Sequence, residues 1–197
     1  MAYTPELTEA RTGAILTLDD LKHHCRIDNT DDDDYCQLLI DAVRDYIETR
    51  CNRTTTTAKY LLRWDQWPAC YFQLQRGPIQ SVESIKYLDA DGVEQSADLT
   101  GLIIQTGRPA QTRIYYGRNY EIPNHIVQTE SVQVDYTAGE GDDDTAIQEK
   151  IKHVARLLAA SWYEYREALI GMGSIPPKPV EFATEALLAQ LDTGYYG

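Results

Sequence analysis

At 197 residues, 43% hydrophobic and 25% charged, the chain has the composition of an ordered globular protein with material for one good-sized core or two small ones. Its 31 Asp and Glu against 18 Lys and Arg leave a net charge of −13, which argues against the electrostatic grip on phosphates that nucleic-acid binding needs. No apolar run approaches the roughly 20 residues of a membrane helix, and the opening MAYTPELTEARTG has neither a basic start nor an apolar signal core, so an intracellular protein without a membrane segment is expected.

Thr17-Leu18-Asp19-Asp20 has the form of a capping box with Asp in place of Glu, and predicts a short helix through LDDLKHHC with Leu18, Leu21 and Cys25 as its buried stripe. After DNTDDDDY, the residues Leu38, Leu39, Ala42, Val43, Tyr46 and Ile47 recur at helical spacing up to Arg50 and predict a second helix. Its aspartates are expected to cap it and oppose the positive end of its dipole.

From Lys59 to Tyr136 the period shortens. AKYLLRW, CYFQLQ, SIKYLD, LIIQT, TRIYY and SVQVDY are separated by Pro, Gly and polar turns, so up to six strands are expected. Within RGPIQSVESIKYLDADGVEQ, Val82, Ile85, Tyr87 and Val93 flank the tight turn Asp89-Ala90-Asp91-Gly92 and predict a hairpin.

Beyond GEGDDDT the helical period returns, with Ile147, Ile151, Val154, Ala155, Leu158, Trp162 and Tyr165 on one face of what reads as the longest helix. Gly171-Met172-Gly173-Ser174 and IPPKP then break the chain. FATEALLAQL predicts a last short helix before the tail DTGYYG, and Ser174 to Gly197 is expected to lack internal support and to need a partner for its order.

These elements predict an α+β fold in one domain over 1–197: N-terminal helices in 1–58, an antiparallel β insertion in 59–137, the long helix in 146–170, and a short helix with an extended tail in 171–197. The two long stripes match in length, so Leu39, Val43, Tyr46 and Ile47 are expected to pack against Ile151, Val154, Leu158 and Trp162. Residues 1–58 carry 6 Lys and Arg against 12 Asp and Glu, 59–137 carry 7 against 9, and 138–197 carry 5 against 10, so the helical ends are acidic and the β middle near neutral.

Candidate chemistry is sparse. Asp28, Asp31, Asp32, Asp33 and Asp34 suggest a calcium loop, but counting from Asp28 the sixth and twelfth positions hold Asp33 and Leu39 where an EF-hand needs Gly and Glu. His23, His24 and Cys25 point about 100° apart on a helix and do not converge on one metal. His125 and His153 stand alone, and no G-x-S-x-G, H-E-x-x-H or P-loop occurs. No catalytic residue, cofactor or metal is therefore assigned. Cys25, Cys36, Cys51 and Cys70 form no C-x-x-C pair and read as buried free thiols. Fourteen Tyr beside two Phe suggest aromatics with one wet side, as at interfaces.

LTLDDLKHHCRID, the helix QLLIDAVRDYIETR, RGPIQSVESIKYLDADGVEQ, VQVDYTAG and IKHVARLLAASWYEYRE, in this order, resemble the head-to-tail connector family of tailed bacteriophages from about Leu16 to Leu191. The chain departs from the family in having Arg50-Cys51-Asn52-Arg53 in place of a Thr-Gly-Arg step, and Thr145-Ala146 where a Pro usually opens the long helix. The resemblance implies a structural adaptor and not an enzyme. It implies a homo-oligomeric ring, usually of twelve subunits, made in the host bacterial cytoplasm and resident in the virion. The ring docks beneath the portal protein, meets the next connector or the tail protein, and continues a channel through which genome DNA passes without specific binding. Helices would build the ring wall and the β insertion would offer edges and loops to neighbours. The resemblance further implies a C-terminal portal-docking surface, carried here by Phe182, Leu187, Leu188, Leu191, Tyr195 and Tyr196. A stopper or tail-completion ring one layer down, an intracellular hydrolase and an acidic nucleic-acid mimic remain the alternatives.

Overall fold

The computed structural model of the chain describes residues 3–9, 11, 13–105, 113–142, 146–165 and 179–192. The first helix, α1 (Leu18–Cys25), starts where the Thr17 hydroxyl accepts the Asp20 N–H at 3.1 Å, as the capping pattern predicts. It ends at Arg26, which adopts the left-handed conformation that closes many helices.

Helix α2 (Asp33–Arg50) and helix α3 (Glu149–Glu164) pack together, with α1 and the C-terminal helix α4 (Pro179–Leu191) against them. Ile15, Leu16, Leu21, Cys36, Ile40, Val43, Ile47, Ile151, Val154, Ala155 and Leu158 form one buried helical core. Each large aliphatic side chain there contributes about 1.5–3 kcal/mol of apolar burial. Of the stripe positions, Leu38 points to solvent at 60% exposure while Ile40 is fully buried, because the helix is rotated to bring Cys36, Ile40, Val43 and Ile47 inward. Among the described residues α2 is the longer helix, at 18 residues against 16 for α3.

Among its described residues the β segment holds seven strands rather than six: β2 (Ala58–Trp64), β3 (Tyr71–Gln73), β4 (Ile79–Leu88), β5 (Glu94–Ser96), β6 (Leu102–Gln105), β7 (Arg113–Tyr116) and β8 (Val132–Ala138). The additional one, β5, is the short second arm of the predicted hairpin, and Gly92 in its turn takes the expected positive φ. A further strand outside the segment, β1 (Glu6–Glu9), has no apolar alternation and owes its strand conformation to pairing with β2.

Strands β1, β2, β8, β4 and β5 lie side by side in that order as an antiparallel sheet, and β3, β7 and β6 form a second. Alternate residues of β2 and β8, Tyr60, Leu62, Trp64, Val132, Val134 and Tyr136, face Phe72 and Ile114 of the smaller sheet in a second core. Trp64 and Trp67 both meet Phe72 edge-on, with ring centroids 5.1 and 5.2 Å apart.

Candidate assembly surfaces

The two cores meet at an elbow made of buried polar side chains. Helix α2 ends at Arg50, and the chain turns through Asn52 at positive φ into Arg53, Thr54, Thr55 and Thr56, all buried. Glu48, fully buried, accepts the N–H and hydroxyl of Thr55 on Oε1, each at 2.7 Å. Its backbone carbonyl takes the Arg53 N–H at 3.1 Å and the Arg76 guanidinium at 3.0 Å. Arg53 pairs with Glu140, whose other oxygen accepts the Gln148 N–H at 2.7 Å ahead of α3. This network joins the end of the helical body to the β body. Sequence reasoning missed it, although an acid at Glu48 directly after the buried Ile47 was a signal.

Helix α4 is part of the subunit's own core. Leu188 and Leu191 are 1% and 5% exposed within the helical cluster and Leu187 is half-buried against it. Arg50 pairs with Glu185 and Asp192, Lys150 bonds Gln190, and the Cys51 thiol, pushed up to about 11 by burial, lies 3.6 Å from the Leu188 carbonyl. This corrects the expectation that 174–197 lacks internal support throughout, and it removes Leu188 and Leu191 from the docking set: their apolar area is already used. Phe182 lies in α4 but its side chain, with Tyr195 and Tyr196, falls outside the described residues.

Of the expected helix pairing, Val43, Ile47, Ile151, Val154 and Leu158 lie in the helical cluster with Trp162 packed at its side. Leu39 is buried outside that cluster, and Tyr46 sits at the rim, 38% exposed, with its ring edge-on to Trp162 at 5.7 Å.

The far end of the β body is the other prominent surface. Ala58 and Ile79 flank Ala138 at the elbow end, whereas Trp64 and Tyr87 flank Val132 at the opposite end. There the turn after β2, the β4–β5 turn and the long segment 117–131 come together. The Trp67 N–H bonds His125 Nε2 at 3.3 Å, the Ile126 N–H bonds the Leu88 carbonyl at 3.1 Å, and the Gln128 N–H bonds the Asp65 carbonyl at 3.1 Å. Tyr120 stacks on Tyr116 with centroids 5.7 Å apart. So anchored, the segment holds Ile122 and Val127 out to solvent, beside a hairpin tip that exposes Val93. Long loops without secondary structure but with many anchors are usually functional.

Among the described residues no group of three or more His, Cys, Asp or Glu side chains is placed to hold a metal ion. The acidic run is engaged locally: Asp33 pairs with Lys22 at 2.5 Å, and Asp32, the N-cap of α2 whose side chain makes no capping bond, takes the Tyr163 hydroxyl. His23 and His24 are exposed, and Cys70, expected buried, is also exposed. No helix among the described residues is long and apolar enough to cross a membrane.

Residues 15–97, from α1 to β5, match the phage gp6-like head-tail connector protein family. The resemblance read from the sequence is borne out over that stretch. No curated protein sequence matches the chain. Among solved structures, the chain is similar to a protein of the neck of an empty gene transfer agent particle computed with C6 symmetry, at a TM-score of 0.78 and 22% identity. It is similar at 0.77 and 22% to one of the virion of a native gene transfer agent particle, and at 0.71 and 23% to one of the native particle's neck computed with C12 symmetry. In each case the likeness covers 99% of this chain and 98% of the other, so the whole fold is shared.

Proposed function

We propose that the chain is a structural head-to-tail connector of a phage-like particle, acting as an adaptor whose copies form a ring, of twelve subunits, beneath the portal. The observation that carries this reading is the match of residues 15–97 to the connector family inside a fold that resembles neck proteins over its full length. A ring subunit must present two different, complementary sides to its neighbours. The elbow suits that need, since it joins an acidic helical body rigidly to a near-neutral β body with an apolar far tip. In this reading the tail protein or next connector lies on the other side of the ring, and DNA passes through a lumen of like charge without being held. The particle, not a reaction, is the site of action.

The portal contact is assigned to the C-terminal end beyond α4, with Tyr195 and Tyr196 as its aromatic anchors, because Leu188 and Leu191 are already committed to the subunit core. The test mixes purified chain with purified portal protein and examines the product by electron microscopy and mass measurement. Rings stacked on portal are expected, and removal of Thr193 to Gly197 is expected to weaken binding while leaving thermal unfolding nearly unchanged. Binding only to a pre-formed portal–connector complex would replace the adaptor by the stopper reading; truncated protein with full-length affinity would move the docking surface to the helices or the far tip.

A further inference from the structure

The chain passes between its helical and β bodies three times: between β1 and α1, between α2 and β2, and between β8 and α3. The second and third passages are bonded to each other, through the Glu140 N–H on the Thr55 carbonyl at 3.0 Å and the Thr57 N–H on the Gly141 carbonyl at 3.1 Å. The first is held differently. Arg11 places Nε 2.9 Å from Glu48 Oε2 and Nη1 3.2 Å from Asp45. One fully buried carboxylate is thus shared, Oε1 with Thr55 of the second passage and Oε2 with the N-terminal segment. Nearby, Gly13 at φ +76 runs so close to the third passage that a Cβ there would lie 2.1 Å from the Asp142 carbonyl oxygen.

The same segment is tied at its other end to the far side of the sheet. The Tyr3 N–H bonds the Arg63 carbonyl at 3.0 Å and its hydroxyl bonds Asp65 at 2.7 Å, while Glu6 and Glu9 pair with Arg63 and Lys59. All four β1 residues are exposed, so the ion pairs of Glu6 and Glu9 are screened by water and contribute little each, and the outer end is held chiefly by the backbone pairing of β1 with β2. The Arg11–Glu48 pair differs in that Glu48 is fully buried while the Arg11 side chain is 23% exposed, so loss of the guanidinium takes the ion-pair partner from a buried carboxylate. The strap thus has a backbone-paired outer end on the sheet and an ion pair to a buried carboxylate at the elbow.

We propose that this N-terminal strap is a latch on the elbow. With Arg11 seated on Glu48 the helical and β bodies keep one angle; with Arg11 withdrawn the two remaining passages form a hinge, and the far tip changes its position relative to the helices. The segment before α1 then decides whether the subunit has a single shape or several. The device concerns the free subunit and does not depend on the connector reading.

The test uses Arg11→Gln in the full chain. Spin labels at Leu38→Cys on α2 and Val127→Cys at the far tip, with Cys25→Ser and Cys70→Ser and dilution into unlabelled protein, report the distance between the bodies. One narrow distance distribution is expected for Arg11, and a broadened or second population for Arg11→Gln. Amide exchange at Thr55 and along β2 should rise by about tenfold or more, with the centres of α2 and β8 unchanged. Should Arg11→Gln fail to fold, Arg11→Gln combined with Glu48→Gln removes the buried charge together with the guanidinium while the carbonyl oxygen of the new amide still accepts from Thr55, and the same broadening is expected. An unchanged distance distribution in whichever variant folds would overturn the latch and reduce Arg11 to a local ion pair.

Discussion

The Tyr163 hydroxyl on α3 donates to the Asp32 carboxylate at the head of α2, 2.7 Å away. The aspartate that opens α2 therefore ties the two helices together, while its own first turn receives no side-chain bond from it. Tyr163→Phe removes the bond and keeps the ring beside Tyr35. It is expected to cost about 1 kcal/mol in urea unfolding with unchanged helix content.

Leu158→Ala opens a cavity between α2 and α3 and is expected to cost about 2–5 kcal/mol. Tyr46→Ala removes only a rim contact with Trp162 and is expected to cost about 1–2 kcal/mol. Equal effects at the two positions, or a loss below about half a kcal/mol for Leu158→Ala, would count against the helix pairing.

Leu188→Ala separates packing from docking. With Leu188 1% exposed in the helical core, the variant is expected to lower subunit stability by about 2–5 kcal/mol before any partner is added. Unfolding at the parent midpoint would mean that α4 does not belong to the core.

In the β4–β5 turn the Asp89 carboxylate accepts from the Gln95 side chain and from the Val93 and Asp91 N–H groups, and these bonds hold it below the usual aspartate range. A depressed folded-state value means the stabilisation is present above the ordinary aspartate value and disappears as pH falls through the depressed one. NMR titration should find Asp89 ionising below its peptide value, and the Val93 amide should lose its exchange protection only in that acidic window. Asp89→Asn should abolish the titration.

Ring formation is expected to be favoured by moderate salt. Among the described residues every Lys and Arg except Arg26 and Arg118 already has a carboxylate or other hydrogen-bond partner within the subunit, so few cations remain to pair across an interface. With −13 per subunit, association raises self-repulsion that salt screens. Sedimentation should therefore show assembly rising between low and physiological ionic strength; rings that dissolve over that range would mean that attractive ion pairs across the interface outweigh the repulsion.

What the sequence by itself determined was whatever depends on neighbours along the chain. Thr17 with Asp20 set the start of α1, the spacing of Val43, Ile47, Ile151, Val154 and Leu158 set two inward stripes, and Asp89 to Gly92 set a hairpin turn. Such signals are local, because a cap, a period or a turn is satisfied within a few residues. Tertiary structure alone decided which rotation α2 adopts, exposing Leu38 and burying Ile40, since two adjacent leucines flank the same stripe and only the partner helix chooses. It also decided that Leu188 turns into the subunit core and that β1, with no alternation of its own, becomes a strand by pairing with β2. Most of all it decided the elbow. Glu48, Thr55, Arg11, Arg53 and Glu140 carry no mutual spacing in the sequence, and a buried charge is tolerated only where distant segments arrive together to bond it.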